Sequence, residues 1–292
     1  MKMKHLNSMP LSLILILVFS AACTTPGPSP AVSHPSSSPE PTATSQLKDI
    51  PGTRVRLTLL YDNTTEDPRL VAEWGFSVLV GYNDHTVLFD TGPDGPSLLG
   101  NMEVLGANPE AIESVVLSHE HGDHTGGLQD LLATGIEPEI YIPAAMAGMV
   151  TEEQRDQYSV IEVSDPVEIL PGMFSTGVLG RSVPEQALVV ETPEGIVVIT
   201  GCAHPGIVRI VQRASEIMNG EIALVIGGFH LADFNSDQIA AIIAEFRRMG
   251  VKQVAPTHCT GEDQIAQFAE AYGEDYISAG AGRVIVIGDF TP

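Results

Sequence analysis

The sequence predicts an α/β protein made of packed layers, and three observations predict it. Segments rich in β-branched and aromatic residues alternate with segments of helical apolar period. The strands fall in two sets along the chain, as two sheets would require. Apolar residues make up 43% of the 292 positions against 17% charged, which suits a packed core rather than disorder.

The elements follow in order. Lys2, Lys4 and His5 form a positive start, and 11–19 is an apolar run too short to span a bilayer. Ser20-Ala21-Ala22-Cys23 places small residues before a cysteine, as in a bacterial lipobox. Residues 1–23 are therefore expected to be a lipoprotein signal peptide with Cys23 as the lipidated residue, giving an extracytoplasmic protein lipid-anchored to the cell membrane. Residues 24–53 form a linker whose stretch 24–46 is dominated by Pro, Ser and Thr and cannot bury enough apolar surface to order itself. The folded domain is expected over 54–292.

Within it, 55–60, 76–80 and 87–89 have strand composition, with Asn83-Asp84 turning between the last two. A helix over 96–105 carries Pro96 in its first turn. A short apolar strand covers 114–117. Further strands are expected at 187–190, 196–200, 223–226, 253–255 and 284–287. Helices are expected over 206–218, 236–249 and 262–272, the second with Ile239, Ile242, Ile243 and Phe246 on one face. No repeat of solenoid length occurs.

The formal charge of −23 repels phosphate backbones, so a small molecule rather than nucleic acid is the expected substrate. Three cysteines, Cys23, Cys202 and Cys259, cannot form a disulfide framework.

The stretch Ser118-His119-Glu120-His121-Gly122-Asp123-His124 carries the chemistry. On an extended chain i and i+2 point the same way, so His119 and His121 can grip one metal. Gly122 is expected to permit a sharp change of direction, after which Asp123 and His124 face a second point. Imidazole and carboxylate suit zinc and its neighbours, and two ions about 3.5–4 Å apart can act together on water. The pattern is not the helical H-E-x-x-H site, because position 123 is Asp rather than His.

This motif, H-x-H-x-D-H, resembles that of the metallo-β-lactamase superfamily, and the resemblance extends over nearly all of 54–290. It implies a four-layer αββα sandwich. Phe89-Asp90-Thr91-Gly92 matches the family's strand-end aspartate, which supports a ligand from behind. Thr200-Gly201-Cys202-Ala203-His204 and Pro256-Thr257-His258-Cys259 stand where later ligands are expected. By resemblance, His119, His121 and His204 would hold one divalent ion and Asp123, His124 and His258 the other, with zinc expected and manganese or iron as alternatives. Many members carry a bridging Asp after the strand that here ends at Thr200. Cys202 takes that place, so either it coordinates as thiolate or the bridge is missing.

Asp62-Asn63, Glu73-Trp74-Gly75-Phe76-Ser77, Gly201–Gly206, Gly227-Gly228-Phe229-His230-Leu231 and His258-Cys259-Thr260-Gly261 are similar to the 7,8-dihydropterin-6-ylmethyl-4-(β-D-ribofuranosyl)aminobenzene 5′-phosphate synthase-like subgroup. Trp74 stands where that subgroup has His, and an export signal departs from cytoplasmic cofactor synthesis.

The expected function is metal-dependent hydrolysis, with a metal-activated hydroxide attacking an ester, lactone or phosphoester-type bond of a small molecule. Asp123 would orient the nucleophile, and His230 would contact substrate or protonate the leaving group. Cys259 is expected to be a packed thiol. Alternatives are a pterin-related synthase or transferase and a metal-binding surface lipoprotein without catalysis. A di-iron redox role is disfavoured because such members have Glu where His121 stands.

Overall fold

Alternation along the strands sets the layers. Strand β1 (Val55–Tyr61) sends Val55, Leu57 and Leu59 to one core and Leu60 to another, as side chains of period two must. A computed structural model of the chain describes residues 54–288. Cys23 and the linker 24–53 lie outside the described residues. Among those described, no helix is long and apolar enough to cross a membrane.

β1 joins β2 (Ser77–Tyr82), β3 (His85–Phe89), β4 (Ser114–Val116), β5 (Glu139–Pro143), β6 (Val160–Val163) and the final strand β13 (Val284–Ile287) in a seven-stranded sheet, ordered β13-β1-β2-β3-β4-β5-β6. A second sheet holds β7 (Val167–Leu170), β8 (Met173–Ser175), β9 (Leu188–Thr192), β10 (Gly195–Thr200), β11 (Ile222–Gly228) and β12 (Gln253–Thr257), ordered β12-β11-β10-β9-β8-β7.

Between the sheets, Leu57, Val78, Phe89 and Val116 pack against Leu188, Val190, Val197, Ile199, Leu224 and Ile226. Each such side chain contributes about 1.5–3 kcal/mol when fully buried, so this inner layer is a major source of stability. The first sheet's other face packs Leu88 and Val115 against Leu98 and Met102 of α1 (Gly95–Leu105) and Leu131 of α3 (Leu128–Ala133). Between them, α2 (Gly122–Thr125) is a single turn carrying the motif, and α4 (Glu152–Gln157) follows later. The second sheet's other face packs Val198, Val225 and Val254 against Val211 of α5 (Ile207–Met218), Phe246 of α6 (Ser236–Arg248) and Phe268 of α7 (Glu262–Tyr272). The order of layers is helix, sheet, sheet, helix, the four-layer αββα sandwich expected.

Local chemistry ends the elements. Asp94 caps α1 by accepting from the Ser97 N–H at 2.8 Å, and Gly106 closes it with φ 67°. Asn235 and Gln238 form a capping box on α6. Pro256 is tolerated in β12 because β12 is an edge strand.

Two expectations need correction. The reading of 119–121 as extended chain fails: β4 stops at Val116 and the backbone bends at His119 and Glu120. The cause is that the Ser118 N–H donates to Asp90 Oδ1 at 2.7 Å instead of continuing a ladder. Gly122 is not needed for its conformational freedom either, since it lies in helical α2 and nothing stands within 4 Å of a Cβ placed there. Gly126 is the constrained glycine, because a Cβ there would overlap the Pro93 carbonyl. Finally, β5 to β8, α3 and α4 lie in a stretch that the sequence reading leaves unassigned.

Candidate metal centre

β3 and β4 run parallel, as do β10, β11 and β12. Their carboxyl ends therefore meet at one rim, where open α/β sheets place their ligands. Asp90 follows β3, His119 and His121 follow β4, Cys202 and His204 follow β10, His230 follows β11 and His258 follows β12. Four non-glycine residues at these ends are left-handed: Asp90 (φ 57°), Ala203 (59°), His230 (55°) and His258 (51°). Such strain costs about 1–3 kcal/mol per residue and persists where surrounding contacts over-determine it.

All seven metal candidates come together. The ring nitrogens of His119, His121 and His204 lie within 4.8 Å of one another, as do the donors of Asp123, His124 and His258. Cys202 Sγ stands 3.3 Å from His124 Nε2 and forms a third such group with His119 and His124. Cys259 is buried as expected, yet its donor also groups with those of Cys202 and His230.

Hydrogen bonding decides which nitrogen of each ring faces inward. Asp90 Oδ1 and Oδ2 accept from the Ser118 N–H and hydroxyl, both at 2.7 Å. With its proton committed, Ser118 Oγ accepts from His119 Nδ1 at 2.8 Å, which leaves a lone pair on His119 Nε2. Asp90 Oδ2 also accepts from His124 Nδ1 at 2.7 Å, leaving His124 Nε2 as the free nitrogen. Asn63 Nδ2 donates to the His258 carbonyl at 2.9 Å while its Oδ1 accepts from the Gly75 N–H at 3.3 Å. That orientation makes His258 Nδ1 the donor to Asn63 Oδ1 at 3.0 Å and turns the Nε2 lone pair inward.

The consequence is electrostatic. His124 Nε2 and His258 Nε2 face each other at 3.2 Å, and His119 Nε2 faces His121 Nδ1 at 3.1 Å. The facing Nε2 lone pairs of His124 and His258 require a cation or a proton between them, and the His119 Nε2 lone pair accepts either a cation or the His121 Nδ1 proton. His204 Nε2 is buried with no hydrogen-bond partner among the described residues, which a native interior rarely tolerates without a further ligand. Orienting bonds behind and free nitrogens in front are the arrangement of metal-ligating histidines. The donor set fits metal binding.

Charge agrees. Burial works against protonated His124, but the Asp90 carboxylate outweighs it and raises that ring above the ordinary value. Burial alone would raise Asp123, yet the His258 ring 3.4 Å away and the charge of His124 hold the carboxyl well below the usual range. Burial, then neighbouring rings, keep His119 far below the usual imidazole value and His204 down at about 4. The adjacent Cys259 thiol and burial push Cys202 up. His230, exposed, stands 4.3 Å ring to ring from His204 and is raised chiefly by its Cys259 hydrogen bond.

Sequence reasoning missed one supporting residue entirely. Glu185 is 0% exposed, and its carboxylate accepts three successive N–H groups, from Cys202 (3.0 Å), Ala203 (2.8 Å) and His204 (2.7 Å). It shapes the loop presenting Cys202 and His204, and burial lifts its pKa to about 7. Nothing local to 185 announces this. Asp62 and Asn63 were visible as a pair, but not their bonds to Thr257 and His258.

Known proteins resemble this chain in sequence and fold. The sequence model of the metallo-beta-lactamase superfamily matches residues 75–242. The 7,8-dihydropterin-6-methyl-4-(beta-D-ribofuranosyl)-aminobenzene-5'-phosphate synthase of Methanocaldococcus jannaschii is 29% identical over 245 residues, covering 68% of this chain and 83% of that protein. The solved structure of Tm1679, described as a metal-dependent hydrolase of the beta-lactamase superfamily, superposes with a TM-score of 0.66 at 30% identity, over 80% of this chain and 100% of that one. YhfI from Bacillus subtilis, a metallo-beta-lactamase fold protein, shares the fold at 16% identity and a TM-score of 0.59, over 80% of this chain and 100% of that one. The chain belongs to the metallo-β-lactamase superfamily.

Proposed function

We propose that this protein is a metal-dependent hydrolase of small molecules carrying an ester, lactone or phosphoester-type bond. His119, His121 and His204 would hold one divalent ion and Asp123, His124 and His258 the other, with Cys202 the additional donor beside His124. When bound, the ions supply Lewis-acid polarisation of the scissile bond and nucleophilic water near neutral pH. The observation carrying this reading is the pair of facing Nε2 lone pairs on His124 and His258 at 3.2 Å, together with the Nε2 of His204, which has no partner among the described residues.

The chain's own groups do the rest. Asp123, with side-chain exposure of 19%, keeps its Oδ2 within 3.6 Å of His124 and 3.4 Å of His258 and can orient an attacking water. His230, exposed and 4.3 Å ring to ring from His204, would hand a proton to a leaving group. Elemental analysis of the purified protein, paired with ester, lactone and phosphodiester assays with and without chelator, tests the reading. Two ions per chain and chelator-sensitive turnover are expected, and a metal-free protein that hydrolyses nothing overturns it.

A second reading, a pterin-related synthase or transferase, is favoured by the 29% identity to the archaeal synthase. Formation of a pterin–aminobenzene adduct by the purified protein would support it over hydrolysis. The lipobox pattern and the linker support export and anchoring through Cys23. Labelled fatty acid incorporated into the wild type and lost in Cys23→Ala is the expected outcome.

A further inference from the structure

The chain contains a single tryptophan, Trp74, and it is 58% exposed. An isolated apolar side chain at a surface needs no explanation, but this one has an unusual setting. Its ring centroid lies 4.8 Å from that of His258, tilted by 47°. The backbone just after it is clamped to the metal centre: the Gly75 N–H donates to Asn63 Oδ1 at 3.3 Å and the Phe76 N–H to the Asp123 carbonyl at 3.1 Å. Phe76 is completely buried, and a Cβ on Gly75 would press against Pro93 and the Asp123 carbonyl. The ring is thus wet while its support is rigid.

The rings of the site form a row. His230 meets His204 at 4.3 Å, His204 meets His119 at 4.8 Å, His119 meets His124 at 4.3 Å, and His124 meets His258 at 4.9 Å before Trp74 is reached. The two ends of the row, His230 and Trp74, are exposed. His230 offers a polar nitrogen, and Trp74 offers a broad apolar ring beside His258, one member of the group with Asp123 and His124. A molecule lying along the row meets chemically different walls at its two ends.

We propose that Trp74 is a substrate-binding platform that stacks a planar aromatic or heteroaromatic ring, so that substrates of this centre carry such a ring next to the bond that reacts. An offset or tilted ring pair at centroid separations of about 4.5–7 Å gains specific attraction beyond the area it buries. The rigid backbone spares the ordering cost that a mobile wall would add. The proposal rests on the metal-dependent reading of the same site and adds a substrate class to it.

The test uses three non-hydrolysable anions that share one metal-seeking head group: methylphosphonate, cyclohexylphosphonate and phenylphosphonate. Binding to the metal-loaded full chain is followed by calorimetry and, in the wild type, by fluorescence of its only tryptophan. Phenylphosphonate is expected to bind about tenfold more tightly than either analogue and to change the Trp74 emission. Trp74→Ala is expected to remove that preference while leaving methylphosphonate affinity and the melting temperature unchanged, and Trp74→Phe to retain most of it. Equal affinity for phenyl and cyclohexyl groups overturns the planar-ring assignment, as does a ring preference that survives in Trp74→Ala. Failure of all three to bind also overturns it. Metal content measured on the same samples separates the cases: metal present without binding removes the platform alone, and metal absent removes the hydrolase reading as well.

Discussion

The two halves of the donor cluster differ in how the chain holds them. Asp123, His124 and His258 include a carboxylate, and both rings have fully buried side chains whose Nδ1 is anchored, to Asp90 and to Asn63. His119, His121 and His204 include no carboxylate, and of these His119 has its Nδ1 anchored, on Ser118. His204 is positioned through its backbone, by Glu185, and its buried Nε2 has no partner among the described residues. The first half is pre-oriented and charge-matched to a cation, whereas the second depends on the ion itself to complete it. Affinity should therefore be asymmetric, with the all-histidine half the first to lose its metal.

The sharpest way to break this comparison is to delete one ligand from each half. His258→Ala is expected to lose the tightly held ion and all measurable turnover, and His204→Ala to lose only the exchangeable ion, both read by elemental analysis. Equal metal loss in the two variants would remove the asymmetry. Next in size, His230→Ala should lower kcat by about 10²- to 10⁴-fold, the range of a general acid, with metal content unchanged. A variant that loses metal instead would make His230 a ligand. Asp90→Asn should then cost about 10- to 100-fold in metal affinity at both halves, since Asp90 orients His119 through Ser118 and His124 directly. Asn63→Ala should cost a similar factor at the Asp123 half alone, which metal-buffer titration can separate.

The smallest effect concerns Glu185. In Glu185→Gln one end of the side chain becomes a donor facing an N–H, so about 1–3 kcal/mol of stability should be lost. Chemical denaturation measures that loss, and metal titration should show the larger weakening at the His204 half, with a smaller one at the other half through Cys202. A larger weakening at the His258 half would reverse that order.

Legibility varied with the kind of information needed. β13 and α7 fall where period and composition place them, because each repeats one clear pattern between turn residues. The four short strands between 139 and 175 did not declare themselves. They are three to five residues long, all but β8 mix exposed with buried positions, and β5 ends in Pro143. The seven ligand candidates were visible because donor-bearing residue types cluster in a motif or follow apolar strands. Glu185 was invisible, since a lone Glu in a loop has no pattern until it meets three amide groups 17 to 19 residues onward.

By itself the sequence determined the layers, through alternating apolar positions, and the identity of the donors, through the side chains present at strand ends. Only the tertiary structure decided which nitrogen of each histidine faces inward. A ring's free nitrogen is set by what its other nitrogen touches, and those partners lie far along the chain: Asp90 is 34 residues from His124, and Asn63 is 195 from His258. Local propensity cannot encode a contact of that span. Packing two sheets against each other brings those partners within hydrogen-bonding distance.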